Sequence, residues 1–141
     1  MTGYLLDTNV LSEPTRLAPE PRVLRWLNSI HPRALYVSVL TLGEIQKGLS
    51  LETGRRKRAI HEKWLGDILA NTEDGHVLPV DTAVARKWGE MTAAAQLQGR
   101  TLAIVDALLA ATALVHELTV VTRNARDFDG TGVRVLNPWK E

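Results

Sequence analysis

The sequence predicts an α/β fold in which a mostly parallel sheet of about four or five strands carries helices on both faces. Two observations lead to this class. Short apolar runs alternate along the 141 residues with longer segments whose apolar residues recur every three or four positions, a pattern typical of strands joined by helical crossovers. Polar residues that can cap helices directly follow the apolar runs, as expected where a buried strand ends at the start of a helix.

The first half of the chain contains two predicted strands and three predicted helices. The first apolar run ends in Asp7, which can cap the segment that follows. Ser38 can cap the second helix, and Thr41 with Glu44 has the T-x-x-E spacing of a capping box. The predicted elements are a strand at residues 4–6, a helix at 23–30 opened by Pro21, a strand at 35–37, a helix at 38–51 and a helix at 55–71.

The second half continues the alternation and ends in two strands around a turn-rich loop. Asp81 can cap a long helix that Gly99 ends, and an apolar helix follows it. The predicted elements are a strand at residues 76–80, a helix to about residue 98, a helix at 102–115, a strand at 118–122 and a strand at 133–136. The sequence contains no repeat or linker, so we expect one domain spanning residues 1–141.

Composition narrows the class of protein. Hydrophobic residues make up 45% of the chain, enough for a substantial core. Seventeen basic against sixteen acidic side chains give a formal charge of +1, so any nucleic-acid site must be local. The chain has no cysteine, which excludes disulfides, zinc–thiolate sites and cysteine nucleophiles. No uncharged stretch reaches about 18 residues, so we expect a cytoplasmic protein without a membrane span.

Asp106 is the most informative residue. It is one of two non-apolar positions in the stretch LAIVDALLAATALV, residues 102–115. An ionised carboxylate inside a helix that is apolar on every face costs several kcal/mol unless it is compensated. An Arg or Lys partner, hydrogen bonds, a raised pKa or a bound cation could each compensate it, and the stretch itself contains no basic residue. A metal ion is therefore a candidate.

The predicted topology gives Asp106 acidic companions. In a parallel sheet the carboxyl ends of the strands meet at one edge, where ligands bind. Asp7 ends the first strand and residues 122–124 end another, while Glu44 lies on the helix after the second strand. Such a carboxylate cluster suits Mg²⁺, with Mn²⁺ as the alternative, and these ions can activate a water for phosphodiester hydrolysis. Without metal, at least one carboxylate pKa should be raised.

Four segments resemble the signature regions of PIN-domain ribonucleases. They are YLLDTNVLSE, SVLTLGEIQKGL, IVDALLAATA and VVTRNARDF, and they occur in the family's order and spacing. Within that superfamily the chain is most similar to the VapC and FitB-like toxins of toxin–antitoxin pairs, including its ending VRVLNPW. The resemblance spans essentially the whole chain and implies the three-layer PIN sandwich.

The resemblance also implies a set of site residues. The family's metal-binding acids fall on Asp7, Glu44 and Asp106, with Glu44 as ligand or base. Many members have a fourth acid where this chain has Asn124, so Asn124 either holds a second metal weakly or orients a water or phosphate. Asp127 either supplies the missing charge, if the loop turns as a helix, or only caps or faces solvent, and one or two metals are both consistent with the sequence.

Four further residues lie within or beside these segments. Thr8 and Asn9 either position Asp7 or a water, or act only as turn residues. Arg100 and Arg123 are the expected RNA contacts among the scattered basic residues, because each adjoins a site segment. The resemblance thus predicts catalytic roles for Asp7, Glu44, Asp106 and Asn124.

The function that the resemblance implies is a Mg²⁺-dependent endoribonuclease acting as the toxin of a VapBC-type pair. The expected partners are an RNA substrate, a second copy in a homodimer, and a VapB- or FitA-like antitoxin whose C-terminal segment occupies the cleft. DNA would be bound only through the antitoxin. The alternative is a noncatalytic module that acts with a DNA-binding antitoxin in operon regulation.

Overall fold

A five-stranded parallel sheet forms the centre of the protein, as a computed structural model describes it over residues 2–140. The strand order is β3-β2-β1-β4-β5, and every neighbouring pair is parallel. The strands are β1 Gly3–Leu6, β2 Leu35–Ser38, β3 Val77–Leu78, β4 Leu118–Val121 and β5 Val135–Leu136. The predicted α/β class and mostly parallel sheet are confirmed.

Helices lie between the strands as crossovers. They are α1 Thr8–Ser12, α2 Pro21–Ser29, α3 Val39–Leu51, α4 Arg55–Asn71, α5 Thr82–Leu97 and α6 Ile104–Val115, with short 3₁₀ turns at Glu13–Thr15, Pro32–Ala34 and Ala125–Phe128. The helix predicted at residues 55–71 has those bounds. Among residues 2–140, no helix is both long and apolar enough to cross a bilayer.

The two edge strands are shorter than the sequence predicts. β3 covers Val77–Leu78 instead of residues 76–80, and β5 covers Val135–Leu136 instead of 133–136. Pro79 follows β3 directly and has no N–H to donate to a ladder. His76 remains attached, because its backbone oxygen accepts from the Val37 N–H at 2.9 Å. Short edge strands also leave few unpaired backbone groups.

The sheet is covered on both faces, which makes three layers. Successive strand residues point to opposite faces, so Leu5 joins one apolar cluster and Leu6 the other. The first cluster packs α5 and α6 on the sheet, and the second packs α1 and α2 on it. The expected sandwich is therefore observed.

The strand order creates a crevice between β1 and β4. From β1 the chain passes to β2 and β3 on one side, and it returns to β4 on the other side. Ligands bind at such a reversal point, outside the carboxyl ends of the strands. Asp7 and Thr122 are the residues that follow these two ends.

Candidate active site

Asp7 is held by hydrogen bonds to both of its carboxylate oxygens. It caps α1, where Oδ1 accepts from the Thr8 N–H at 2.8 Å. Oδ2 accepts from Oγ1 of Thr122 at 2.8 Å, across 115 positions of sequence. The predicted cap is therefore present, and it also fixes the carboxylate at the end of β1. Each oxygen still has a further lone pair with which it can bind a ligand.

Thr122 connects three segments of this edge through one hydroxyl group. Its side chain is fully buried, and its Oγ1 accepts from the Asn124 N–H at 3.1 Å and from Nδ2 of Asn9 at 3.3 Å. Both acceptor positions are thereby used, so the single hydroxyl proton goes to Asp7. Oδ1 of Asn9 accepts from the Arg123 N–H at 3.2 Å. Asn9 therefore ties α1 to the segment after β4.

Glu44 is exposed in the second turn of α3, and it does not form the predicted capping box. Ser38 caps α3 by accepting from the Leu40 N–H at 3.0 Å, which puts Thr41 inside the helix. Glu44 instead accepts at Oε1 from Oγ1 of Thr8, at 3.0 Å. The capping-box prediction is wrong because the helix begins one turn before the T-x-x-E segment, and this frees Glu44 to reach the Asp7 segment.

Asp106 lies in the first turn of α6, near its open end. The prediction of a charge inside an all-apolar helix is corrected: α6 begins at Ile104, and Asp106 is only partly buried. The N-cap residue, Ala103, provides no side-chain hydrogen bond to this end. A carboxylate in a first turn also interacts favourably with the helix dipole. The cost of this charge therefore arises from partial desolvation first and from its neighbours second.

Those neighbours are acidic. Burial, followed by the negative charges of Asp127, Asp7 and Glu44 in that order of importance, together raise the pKa of Asp106 from 3.8 to about 6. No basic group contributes in the opposite direction. Desolvation and neighbouring like charges both disfavour the ionised form of a carboxyl group. The three distant acids Asp7, Glu44 and Asp106 are thus close enough to influence one another.

Asp127 adjoins Asp106, while Asn124 is exposed at the start of a turn. Asn124 occupies the N-cap position of the turn Ala125–Phe128 without capping it through its side chain, and its backbone oxygen accepts from the Asp127 N–H at 3.0 Å. Asp106 and Asp127 line one cavity of about 390 Å³. The turn therefore brings Asp127 to the same cavity as Asp106.

These carboxylates offer the oxygen ligands that Mg²⁺ prefers, although their side chains are spread apart. Over residues 2–140, no three acidic or histidine side chains lie close enough together to hold an ion directly. Mg²⁺ is usually bound through one or two carboxylates and retains several waters, so it does not require three. Hard oxygen donors around an acid whose pKa is raised by burial and by like charges fit such an ion.

Arg123 is fixed beside the cleft by contacts that the sequence did not suggest. Its guanidinium lies over the Trp139 ring, 5.4 Å from the centroid, and its backbone oxygen accepts from Nδ2 of Asn137 at 3.2 Å. Asn137 in turn caps Trp139, accepting from its N–H at 2.9 Å. The NPW segment near the C-terminus therefore supports the β4 end of the site.

Comparisons with known proteins agree with this arrangement. The PIN domain family matches residues 4–133. Toxin FitB of Neisseria gonorrhoeae is 39% identical over 97% of this chain and 99% of its own length. VapC ribonuclease Y4jK of Sinorhizobium fredii is 33% identical over 96% and 97%. In the solved structure of FitAB bound to an IR36 DNA fragment, one chain superposes with a TM-score of 0.88 at 39% identity, covering 96% of this chain and 95% of that one.

Proposed function

This chain belongs to the PIN-domain family, and from that premise we propose that it is a Mg²⁺-dependent endoribonuclease acting as the toxin of a VapBC-type toxin–antitoxin pair. Its similarity to the toxin FitB and to a VapC ribonuclease supports the proposal. The observation that carries it is the environment of Asp106. Burial and three other carboxylates raise its pKa and no base offsets them, at the reversal point of a parallel sheet.

In this proposal Asp7 and Asp106 are metal ligands, and Glu44 is a ligand or a base. A bound Mg²⁺ would supply a polarised water and stabilise charge on the phosphate oxygens. Thr8 and Thr122 hold the Asp7 carboxylate by one hydrogen bond at each oxygen. The Thr8 hydroxyl occupies one lone pair of Glu44 Oε1, which leaves Oε2 free to accept a proton. Mn²⁺ offers the same preference for oxygen donors.

The fourth acidic position is the point at which this chain departs from many family members. We propose that Asp127 supplies the charge that Asn124 lacks, because its charge raises the pKa of Asp106 more than the charge of Asp7 or of Glu44 does. The amide of Asn124 then supports the site by orienting a water or a phosphate. Because Asp127 is exposed, a second ion held there would be bound more weakly than the first.

The proposed partners are those of the family. They are an RNA substrate contacted by Arg100 and Arg123, and a VapB- or FitA-like antitoxin whose C-terminal segment occupies the cleft. DNA would be bound through that antitoxin, and the proposed location is the cytoplasm. The FitAB structure bound to DNA supports the partner assignment, since one of its chains superposes on nearly all of this one.

We also propose that two copies associate through α3 and the start of α6. Leu51 is 70% exposed and Ile104 is 66% exposed, and α3 and α6 border one partly apolar cavity of about 510 Å³. Leu51→Lys and Ile104→Lys should convert a sedimenting dimer to a monomer, because each places a charge in the apolar contact. Leu69→Lys, on a residue of α4 that is 50% exposed, is the matched control. A wild-type monomer at micromolar concentration would contradict the assignment.

A cleavage assay tests the enzymatic proposal directly. Purified protein is incubated with labelled RNA in Mg²⁺ or in EDTA, alongside Asp7→Asn and Asp106→Asn. The control is Asp74→Asn, which changes an exposed acid before β3, at the opposite edge of the sheet. Cleavage should require Mg²⁺, survive in the control and disappear in both site variants. Undiminished cleavage by the site variants would refute the metal-site proposal.

The second candidate is the noncatalytic module that regulates its operon with an antitoxin. The DNA-bound FitAB complex favours it as an accompanying activity. Expression of the chain alone in bacteria separates the two roles. Growth arrest that Asp106→Asn abolishes supports catalysis, whereas arrest that persists in this variant supports action through binding.

A further inference from the structure

The exposed side chain of Arg100 packs closely against Gly130. A Cβ built on Gly130 would lie 2.6 Å from Nη1 of Arg100 and 3.2 Å from its Cδ. Real Cβ contacts are essentially never shorter than 3.0 Å, so the guanidinium occupies space that only glycine leaves open. Gly130 also has a φ of +81°, a left-handed conformation that side chains with a Cβ disfavour. A side chain at this position would therefore strain the backbone and displace the Arg100 guanidinium.

The position of Arg100 brings its charge beside the candidate active site. Arg100, Asp106 and Asp127 line the same cavity of about 390 Å³, together with Arg126 and Asp129. The N-terminal end of α6 forms another part of this cavity, and it has no side-chain cap. A guanidinium and uncapped backbone N–H groups are both donors suited to an anion.

Arg100 has no protein partner for its charge. Within residues 2–140, its side chain takes part in none of the ion pairs, although three aspartates line its cavity. Those pairs use other bases, such as Arg16 and Arg58. An unpaired guanidinium retains its planar set of donors for a ligand.

We propose that Arg100, positioned by Gly130, binds a phosphate of single-stranded RNA next to the phosphate that is cleaved. The inference rests on the proposed ribonuclease function and specifies how the substrate is held in that site. Arg100 is the binding residue, and Gly130 is a positioning residue that acts only through Arg100. Arg126 lies in the same cavity and adds a second positive charge, but it does not pack against a glycine as Arg100 does.

The cavity's own charges predict when this binding occurs. Two arginines face three aspartates, so the lining carries a net formal charge of −1 when all are ionised. A divalent cation on the carboxylates would reverse that sign. RNA affinity should therefore be higher in Mg²⁺ than in EDTA, and its salt dependence should include the phosphate held by Arg100.

The test measures RNA binding and single-turnover cleavage for wild type, Arg100→Ala, Arg100→Lys, Gly130→Ala and Gly132→Ala. Gly132 has a φ of +80° and nothing within 4 Å of a built Cβ, so Gly132→Ala introduces the same backbone strain without touching Arg100. Thermal unfolding in parallel should show similar losses for the two glycine variants. Any additional effect of Gly130→Ala can then be assigned to the displaced guanidinium.

Arg100→Ala and Gly130→Ala should each raise the RNA concentration for half-maximal cleavage by about 10-fold, with little change in the maximal rate. Arg100→Lys should recover part of the affinity, because it keeps the charge but not the planar donors. In Arg100→Ala the slope of log affinity against log salt should fall by about 0.7, the value for one phosphate on a single strand. Gly132→Ala should bind as wild type does.

Two results would overturn the inference: wild-type affinity and salt slope in Arg100→Ala, or equal affinity losses in the two glycine variants. Binding and cleavage separate this inference from the ribonuclease proposal. RNA that binds through Arg100 but is not cleaved would refute the ribonuclease proposal alone. Cleavage with unchanged affinity in Arg100→Ala would refute the phosphate contact alone, and wild-type protein that does not bind RNA would refute it too.

Discussion

Glu13 and Asp106 are two carboxylates in very different environments. Glu13 is only 2% exposed, yet its Oε1 accepts from Arg16 at 3.3 Å and its Oε2 from the Glu20 N–H at 2.9 Å. Asp106 is less deeply buried, yet burial and three other carboxylates raise its pKa, and within residues 2–140 it forms no ion pair. Depth of burial alone would identify the wrong residue as functional. The lack of an ion-pair partner together with a raised pKa points to the site, because perturbed pKa values cluster where function requires them.

The largest expected difference between the two residues is in catalysis. Asp106→Asn should lower single-turnover RNA cleavage by at least about 100-fold, because it removes a ligand charge from the site. Glu13→Gln should retain cleavage within a few fold, since the hydrogen bonds of Glu13 join it to Arg16 and Glu20, outside the candidate site. Rates at saturating RNA and Mg²⁺ provide the measurement. Equal losses in the two variants would erase the distinction between them.

Stability should show the reverse order. Glu13→Ala leaves the Glu20 N–H without its acceptor and Arg16 without its partner, so the free energy of unfolding should fall by about 2 kcal/mol. Asp106→Asn should cause no comparable loss at neutral pH. Urea unfolding at pH 7 with EDTA measures both. A Glu13→Ala protein as stable as wild type would show that the compensated carboxylate does not support the fold.

A smaller effect should appear in the pH dependence of Asp106→Asn. An aspartate ordinarily has a pKa of 3.8, and the folded protein raises the pKa of Asp106 to about 6. The folded state therefore binds this proton more tightly than the unfolded state, and the resulting stability is complete below pH 3.8 and is lost as the pH rises through 6. At pH 8 without metal, Asp106→Asn should be more stable than wild type by about 1 kcal/mol after allowance for solvent screening.

Urea unfolding at several pH values checks this prediction, with Asp74→Asn as the exposed control. The advantage of Asp106→Asn should shrink as the pH falls from 8 to 4. A constant difference over this range would mean that the ionised form of Asp106 carries no penalty in the folded protein. The comparison with Glu13 would then lose its electrostatic basis.

The sequence predicted the regular elements well because their signals are local. The bounds of α4 follow from its apolar periodicity, and Asp81 caps α5 as expected from its position before the helix. Local signals also caused the errors. T-x-x-E spacing at Thr41 and Glu44 mimics a capping box, but Ser38 had already begun the helix.

The site was predicted only in part because its contacts join distant segments. The motifs were enough to list Asp7, Glu44 and Asp106, and the raised pKa of Asp106 agrees with their proximity. The hydroxyl of Thr122, which meets Asp7 across 115 positions, has no local signal. The contact of Arg100 with Gly130 likewise depends on how two loops pack. Its only trace in the sequence is a glycine in a turn-rich segment.

The most direct test of the central claim is a calorimetric titration of Mn²⁺ into the purified, EDTA-treated protein. Wild type and Asp74→Asn should bind the ion with the same affinity, and Asp106→Asn should bind it at least about 10-fold more weakly, because one anionic oxygen ligand is replaced by a neutral amide. Binding of Mn²⁺ to Asp106→Asn with wild-type affinity would contradict the claim that the uncompensated carboxylates around Asp106 form a metal site.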